Sequence, residues 1–194
     1  MASRGYSKAK EKIIEAASEL FFSQGYQTTT IDQVIEHSGV SRPTVYSHFS
    51  TKEEMCLAYL KKKKNEDLNK LKEFIRSRTS DKERFLGVIH FVREALIQTK
   101  FRGCGYFNMI SEFPDPEHPI AREAKVYVDG FREVIEDVVK NVKSSNVKYK
   151  NWDTEYITGI YYVLVCGAIM ASQEYREPWH LDQTIKAVEN LMST

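Results

Sequence analysis

Three signals for the start of a helix fall within 25 residues of this chain, between residues 30 and 54. They are Thr30-x-x-Gln33, Ser41 followed by Arg42-Pro43, and Thr51-x-x-Glu54. The first and last match a capping box, and the second places a proline in a first helical turn. Gly39 stands where a helix ends in the left-handed conformation. The segment is therefore predicted to form two short helices, at about residues 31–38 and 42–49, joined by a tight turn.

Apolar residues elsewhere in the chain recur at helical spacing, as they do between residues 120 and 142. Only nine glycines and five prolines occur in 194 residues, and 42% of the residues are hydrophobic, which is enough for a substantial core. We predict an all-α fold of about nine helices. Residues 1–50 are expected to form a three-helix helix-turn-helix domain and residues 51–194 a larger helical domain, with a helix at about 52–76 connecting them.

The net charge of +1 does not by itself indicate a partner, but the charges are unevenly distributed. Residues 1–64 hold ten Lys and Arg against seven Asp and Glu, whereas residues 65–194 hold 18 against 20. The positive end coincides with the predicted helix-turn-helix. This is the sign expected of a surface that faces phosphate.

Other residue patterns argue against several kinds of site. Cys56, Cys104 and Cys166 are far apart and odd in number, which is typical of reduced thiols in the cytoplasm. Cys104 lies between two glycines, but most such cysteines are inert, and we assign it no redox role. No spacing of His, Cys, Asp or Glu matches a metal site, and no cofactor is expected. The longest apolar run, residues 159–171, is shorter than the about 20 residues that span a bilayer, so no membrane contact is predicted.

The second short helix is predicted to present polar and aromatic side chains outward, because Val45 and Phe49 share its inner face. Arg42 can donate two hydrogen bonds to a guanine edge, and Thr44 can offer a methyl or a hydroxyl group. The predicted DNA-binding residues are Thr30, Ser41, Arg42, Pro43, Thr44, Tyr46, Ser47, His48 and Lys52. The alternative is a capped helical corner in a small all-α enzyme or ligand carrier. No nucleophile–base pair or phosphate loop supports that alternative, and no catalytic residue is predicted.

Residues 8–55 resemble the DNA-binding domain of the TetR family of bacterial transcriptional regulators. The resemblance is carried by Ala16-Ala17, Leu20-Phe21, Gly25-Tyr26, Thr29-Thr30, Gly39-Val40-Ser41, Thr44-Val45-Tyr46, His48-Phe49 and Lys52-Glu53. It implies a dimer whose C-terminal domain binds a ligand and holds the subunits together. The resemblance also implies DNA contacts at the positions of Thr30, Arg42, Pro43, Thr44, Tyr46, His48 and Lys52. Arg42 stands at a variable place in the motif, so the operator sequence does not follow.

Residues 159–171 are apolar on all sides of the predicted helix. The face turned away from its own chain is therefore expected to be buried against another surface. A second copy of the protein is the simplest cover, and a central core helix in a monomer is the alternative. The predicted dimer residues are Gly159, Leu164, Gly167, Ala168, Ala171, Ile185 and Val188.

Aromatic residues in the C-terminal half predict a pocket for a small apolar or aromatic effector. The candidate residues are Phe85, Ile89, Phe107, Asn108, Tyr127, Phe131, Tyr161 and Tyr162. Ordinary core packing is the alternative for each of them. Together these expectations describe a cytoplasmic bacterial regulator, a ligand-responsive repressor that binds a palindromic operator as a dimer. An activator of the same fold, or a DNA-binding protein that responds to no ligand, remains the nearest alternative.

Overall fold

A computed structural model describes residues 2–193, and the side chains from residue 8 onward. This part of the chain forms nine α-helices and one 3-10 turn, with no strand, which confirms the predicted all-α class. The helices are α1 (Ala2–Gln24), α2 (Ile31–Ser38), α3 (Arg42–His48), α4 (Lys52–Arg76), α5 (Asp81–Gln98), α6 (Gly105–Glu112), α7 (Pro119–Ser145), α8 (Thr154–Tyr175) and α9 (Trp179–Leu191).

The ends of the short helices follow the local signals. The Thr30 hydroxyl accepts a hydrogen bond from the Gln33 N–H (3.2 Å), and the Gln33 side-chain oxygen accepts one from the Thr30 N–H (2.8 Å). Gly39 ends α2 at φ +62°, a left-handed conformation that glycine adopts without steric cost. Ser80 caps α5 through the same reciprocal pair with Glu83. The predicted ends of α2 at Thr30 and Gly39 are therefore confirmed, and all three helix ends depend on residues at most four apart.

The described residues group into two compact units. The first contains the chain up to Asn65 together with Gly105–Tyr127, and the second contains Glu66–Cys104 and the chain from Val128 onward. This grouping differs from the predicted division near residue 50, because α6 packs with the N-terminal helices. The Met109 sulfur of α6 lies 4.0 Å from the Cys56 sulfur of α4, and both side chains are buried.

Helices α5, α8 and α9 pack together in the second unit. Tyr161 of α8 is among the largest fully buried side chains of the described residues. This side chain is fully buried, and its hydroxyl donates a 2.6 Å hydrogen bond to the carbonyl of Phe85. The same hydroxyl accepts a hydrogen bond from the Ile89 N–H (3.3 Å). Phe85 and Ile89 are one helical turn apart, so a side chain of α8 bridges two backbone groups that a regular helix pairs with each other.

We expect Tyr161→Phe to lower the free energy of unfolding by about 1–3 kcal/mol, because two buried backbone groups lose their shared partner. Urea denaturation followed by circular dichroism measures the change. Tyr156→Phe is the matched control, since Tyr156 lies on the same helix and is 63% exposed. Equal stability of the two variants would show that the Phe85 and Ile89 backbone groups are satisfied without the Tyr161 hydroxyl.

One face of α8 is apolar and exposed. Tyr156, Val163 and Met170, which are 63%, 66% and 67% exposed, recur every seven residues and therefore lie along one face. By length and composition α8 could cross a membrane, and only 33% of its most apolar 18-residue window is buried. The apolar run of residues 159–171, from which no membrane contact was predicted, is only the middle of this helix. The opposite face, which carries Tyr161, is packed inside the second unit.

Candidate nucleic-acid interface

The helix-turn-helix formed by α2 and α3 is held against α1 by a small set of buried apolar side chains. Val34 of α2 and Val45 of α3 are fully buried, and Phe49 directly after α3 is 4% exposed. They share the core of the first unit with Ile13 and Phe21 of α1, which are also buried. Burial of this inner face leaves the opposite face of α3 in solvent.

Most of the residues predicted to bind DNA lie on that outer face. Thr30, Ser41, Arg42, Pro43, Tyr46 and Ser47 are exposed, and Thr44 is half-buried. The Ser41 and Thr44 hydroxyls are hydrogen-bonded to each other (2.8 Å), and the Ser47 hydroxyl donates to the Thr44 carbonyl (2.8 Å). Tyr46 is 43% exposed, a large fraction for an aromatic side chain on a short helix. The arrangement provides donors, acceptors and an aromatic ring on one exposed helical surface.

The Arg42 guanidinium is paired with Asp32, which the sequence analysis did not single out. The nitrogen and oxygen atoms are 2.9 Å apart, and both side chains are more than half exposed. Exposed ion pairs of this kind contribute little to stability, so DNA can replace the carboxylate as the partner of Arg42. Asp32 lies in the first turn of α2, ten residues before Arg42, and only the turn at Gly39 brings the two together.

Lys52 differs from its prediction as a phosphate contact. Its ammonium donates hydrogen bonds to the carbonyls of Tyr26 and Thr29, both at 2.8 Å, and lies 4.1 Å from the centre of the Tyr26 ring. Burial is the main cause of a lowered pKa for this lysine. The side chain therefore binds the turn between α1 and α2, and only the backbone at the start of α4 is left to face phosphate.

His48 also differs from its prediction. It is half-buried, and both ring nitrogens are shielded from solvent. It is the last residue of α3, and its ring lies 6.4 Å from that of Phe49, which enters the core. A contact between this imidazole and phosphate would require the side chain to turn outward.

Two titratable groups of the first unit, Cys56 and Tyr26, have raised pKa values. Burial raises the pKa of the Cys56 thiol to about 12, and the nearby carboxylates of Glu112 and Glu53 add to the increase. Burial also raises the pKa of the Tyr26 hydroxyl to about 12. Both groups are therefore protonated at neutral pH, and Cys56 is an unreactive packing residue. Among residues 8–193 no group of three or more His, Cys, Asp or Glu is arranged to hold a metal ion.

The residues predicted to line an effector pocket are divided between the two units. Phe107, Asn108 and Tyr127 belong to the first unit, where the Tyr127 ring stacks on Tyr106 at 3.7 Å. The other five, Phe85, Ile89, Phe131, Tyr161 and Tyr162, belong to the second unit.

Within the second unit, Phe85, Ile89 and Tyr161 are fully buried core residues, and the Tyr161 hydroxyl is already used by α5. This burial and the Tyr161 hydrogen bond favour the alternative of ordinary core packing for these three residues. Tyr162 is half-buried and remains a candidate. Burial raises the pKa of its hydroxyl, with smaller contributions from Cys166 and other neighbouring groups.

The residues predicted at a dimer interface are only partly on the surface. Ala168 is 5% exposed and Val188 is fully buried, so these two side chains pack inside the protomer and cannot line an interface. Gly159, Leu164, Gly167, Ala171 and Ile185 are at least partly exposed. The prediction did not include Tyr156, Val163 and Met170, the exposed apolar residues of α8 that recur every seven positions.

Comparison with known proteins links this surface to a family. Residues 13–59, which include α2, α3 and parts of α1 and α4, match the model of the family described as bacterial regulatory proteins, tetR family. A solved TetR-family transcriptional regulator from Streptomyces coelicolor superposes on 96% of this chain and 95% of its own, with a TM-score of 0.85. Because the two sequences are 23% identical, this likeness establishes the shared fold alone.

Two curated relatives align with parts of the chain. The HTH-type transcriptional activator FasR of Mycolicibacterium smegmatis is 24% identical over 128 residues, which are 66% of this chain and 57% of FasR. The HTH-type transcriptional regulator LmrA of Bacillus subtilis is 36% identical over 77 residues, or 39% of this chain and 37% of LmrA. The chain thus spans less than two thirds of the length of either relative.

Proposed function

Because this chain belongs to the TetR family of bacterial regulatory proteins, we propose that it is a dimeric transcriptional regulator of the bacterial cytoplasm. In each subunit α3 enters the major groove at one half of a palindromic operator. Binding of a small molecule favours a conformation that no longer fits both half-sites, and the operator is released. The protein then acts as a ligand-responsive repressor.

The observation that carries this proposal is the exposed face of α3 within the family-matched segment. Arg42 is held only by an exposed ion pair, and Tyr46 projects from the same short helix. Little free energy is lost when the Arg42 guanidinium leaves its exposed carboxylate partner and binds a guanine edge instead. Phosphate contacts by Ser41, Ser47 and the backbone at helix starts would set the register of α3 on the duplex.

The exposed stripe of α8, defined by Tyr156, Val163 and Met170, supports a dimer. Apolar side chains that recur every seven residues can meet the same stripe of a second copy across a two-fold axis. Lipid is a weaker candidate for the cover, because the other face of α8 is committed to a soluble core through Tyr161. A dimer also presents two copies of α3, as a palindromic operator requires.

The effector is proposed to be small and apolar or aromatic, with Tyr162 as a polar anchor. Its ring lies 6.5 Å from that of Phe131, and its hydroxyl lies near the Cys166 thiol. A partly buried tyrosine that combines an apolar ring with a polar tip suits a ligand that needs one hydrogen bond in an apolar setting.

An activator of the same fold is the second candidate, and one observation favours it. FasR, which aligns with 66% of this chain, is named a transcriptional activator. The two functions use the same α3 surface and differ in where the operator lies relative to the promoter. The relatives named above are regulators, and we propose no enzymatic activity for this chain.

Selection of bound fragments from genomic DNA by the full-length protein tests the proposal. We expect an enriched palindrome whose half-sites are about one helical turn apart, bound at least 10³-fold more tightly than unrelated DNA at the same salt concentration. The position of the palindrome relative to promoters separates repression from activation. Binding to all fragments alike, with no enriched sequence, would contradict the proposed function.

A further inference from the structure

We propose that Glu112, on α6, is a positioning residue for the DNA-binding helices, because its carboxylate holds the turn from which α2 begins. The two carboxylate oxygens accept hydrogen bonds from the backbone N–H groups of Tyr26 (3.0 Å) and Gln27 (2.8 Å). Glu112 thus reaches a turn 85 residues earlier in the chain, within the same compact unit. The inference rests on the proposed function, since what is positioned is the helix proposed to read DNA.

The turn is shaped to receive an anion. Gly25 ends α1 at φ +95°, and the N–H groups that follow it point to the same side, which is a common backbone geometry around bound anions. A Cβ atom at Gly25 would lie 2.9 Å from a Glu112 oxygen, too close for a real contact. Glycine at this position therefore permits the left-handed conformation and also leaves room for the carboxylate.

Lys52 holds the same turn from its carbonyl side. Its ammonium binds the carbonyls of Tyr26 and Thr29, whereas Glu112 binds the N–H groups of Tyr26 and Gln27. Opposite charges thus act on opposite ends of the peptide dipole between Tyr26 and Gln27. The Tyr26 ring adds packing, with the Phe113 ring 5.0 Å away in an edge-on arrangement.

The direction of α2 depends on this turn. Five residues, 25–29, separate the end of α1 from Thr30, the N-cap of α2. With Glu112 removed, the Tyr26 and Gln27 N–H groups can bond to water, since Tyr26 is half-buried and Gln27 exposed, and the fold is expected to survive. The turn then samples a wider range of conformations. The orientation of α3 that can bind DNA is therefore populated less often.

The test compares Glu112→Ala and Glu112→Gln with Glu117→Ala in the full-length protein. The control removes the same charge from the same unit, at a carboxylate that is 82% exposed and 4.0 Å from Arg122. Removal of a negative charge near DNA favours binding on electrostatic grounds alone. A positioning role predicts the opposite sign for Glu112: about tenfold weaker binding to the selected palindrome, or ~1.4 kcal/mol, with no loss on unrelated DNA.

A second readout needs no DNA. Hydrogen exchange followed by NMR is expected to speed up at the Tyr26 and Gln27 amides in both Glu112 variants and to stay unchanged in Glu117→Ala. Specific binding as tight as in the wild type, or tighter, would overturn the inference, as would unchanged exchange at these two amides. Failure of the wild-type protein to select any DNA would instead contradict the proposed function. The exchange measurement would then still decide whether Glu112 holds the turn.

Discussion

The Arg42→Ala/Tyr46→Ala protein is expected to lose specific operator binding while it keeps its fold. A bidentate arginine–guanine contact contributes roughly 1–3 kcal/mol of discrimination, and a symmetric dimer loses it in both half-sites. The expected loss from Arg42 alone is then about 30-fold to 10⁴-fold, to which Tyr46 adds. Both residues are exposed on the outer face of α3, so their removal is expected to leave the core of the first unit intact.

Fluorescence anisotropy with the selected palindrome and with scrambled DNA, at several salt concentrations, measures this effect. Arg132→Ala serves as the control, because Arg132 is an exposed arginine of the second unit. Equal weakening on both DNAs, together with a shallower salt dependence, would reassign Arg42 from base reading to phosphate contact. Unchanged binding to the palindrome would remove α3 as the reading element.

The Val163→Asp protein is expected to be monomeric. The two-fold axis of the proposed dimer would bring the two aspartates close together in an apolar interface, where like charges cost several kcal/mol. At roughly 4 kcal/mol the dimer dissociation constant rises about 10³-fold. Operator binding weakens as well, because a monomer cannot use two half-sites at once. Stability of the protomer is expected to change little, since Val163 is 66% exposed in it.

Analytical ultracentrifugation over a range of concentrations tests this expectation. Val147→Asp is the matched control, because Val147 is 78% exposed in the 3-10 turn, outside the α8 stripe. A Val163→Asp protein that sediments as the wild type does would place the dimer interface elsewhere. Co-sedimentation of the wild type with phosphatidylcholine vesicles, lost in Val163→Asp, would show that lipid covers the stripe.

Local signals explain how much of the fold could be predicted. The two ends of α2 and the start of α5 are determined by Thr30, Gly39 and Ser80 together with residues within one helical turn of them, and the two ends of α2 were placed correctly. The inner face of the helix-turn-helix followed from the spacing of Val45 and Phe49. What these features share is that the stabilising partner is a near neighbour in sequence.

The misplaced site residues have distant partners. Lys52 was expected to face DNA, but its ammonium binds carbonyls more than 20 residues earlier in the chain. Glu112 could not be singled out from the sequence, because it is one of many carboxylates. Only tertiary packing brings α6 to the turn after Gly25. For the same reason α6 was assigned to the C-terminal domain, although it packs with the N-terminal helices.

The α8 errors have another cause. An all-apolar helix shows no moment that separates an inner from an outer face, so Ala168 of α8 could not be excluded from the interface. The seven-residue spacing of Tyr156, Val163 and Met170 separates the faces only when the large side chains are considered without the small ones.

The exposed stripe of α8 also has a genetic consequence. The residues proposed to join two subunits and the residues proposed to read DNA lie on different helices, α8 and α3, so either set can be lost without the other. Consider a cell that carries both a normal and a variant copy of the gene. A subunit without the α8 stripe is expected to form no dimers, so that variant is recessive. A subunit that lacks Arg42 and Tyr46 still pairs, inactivates normal subunits in mixed dimers, and is dominant.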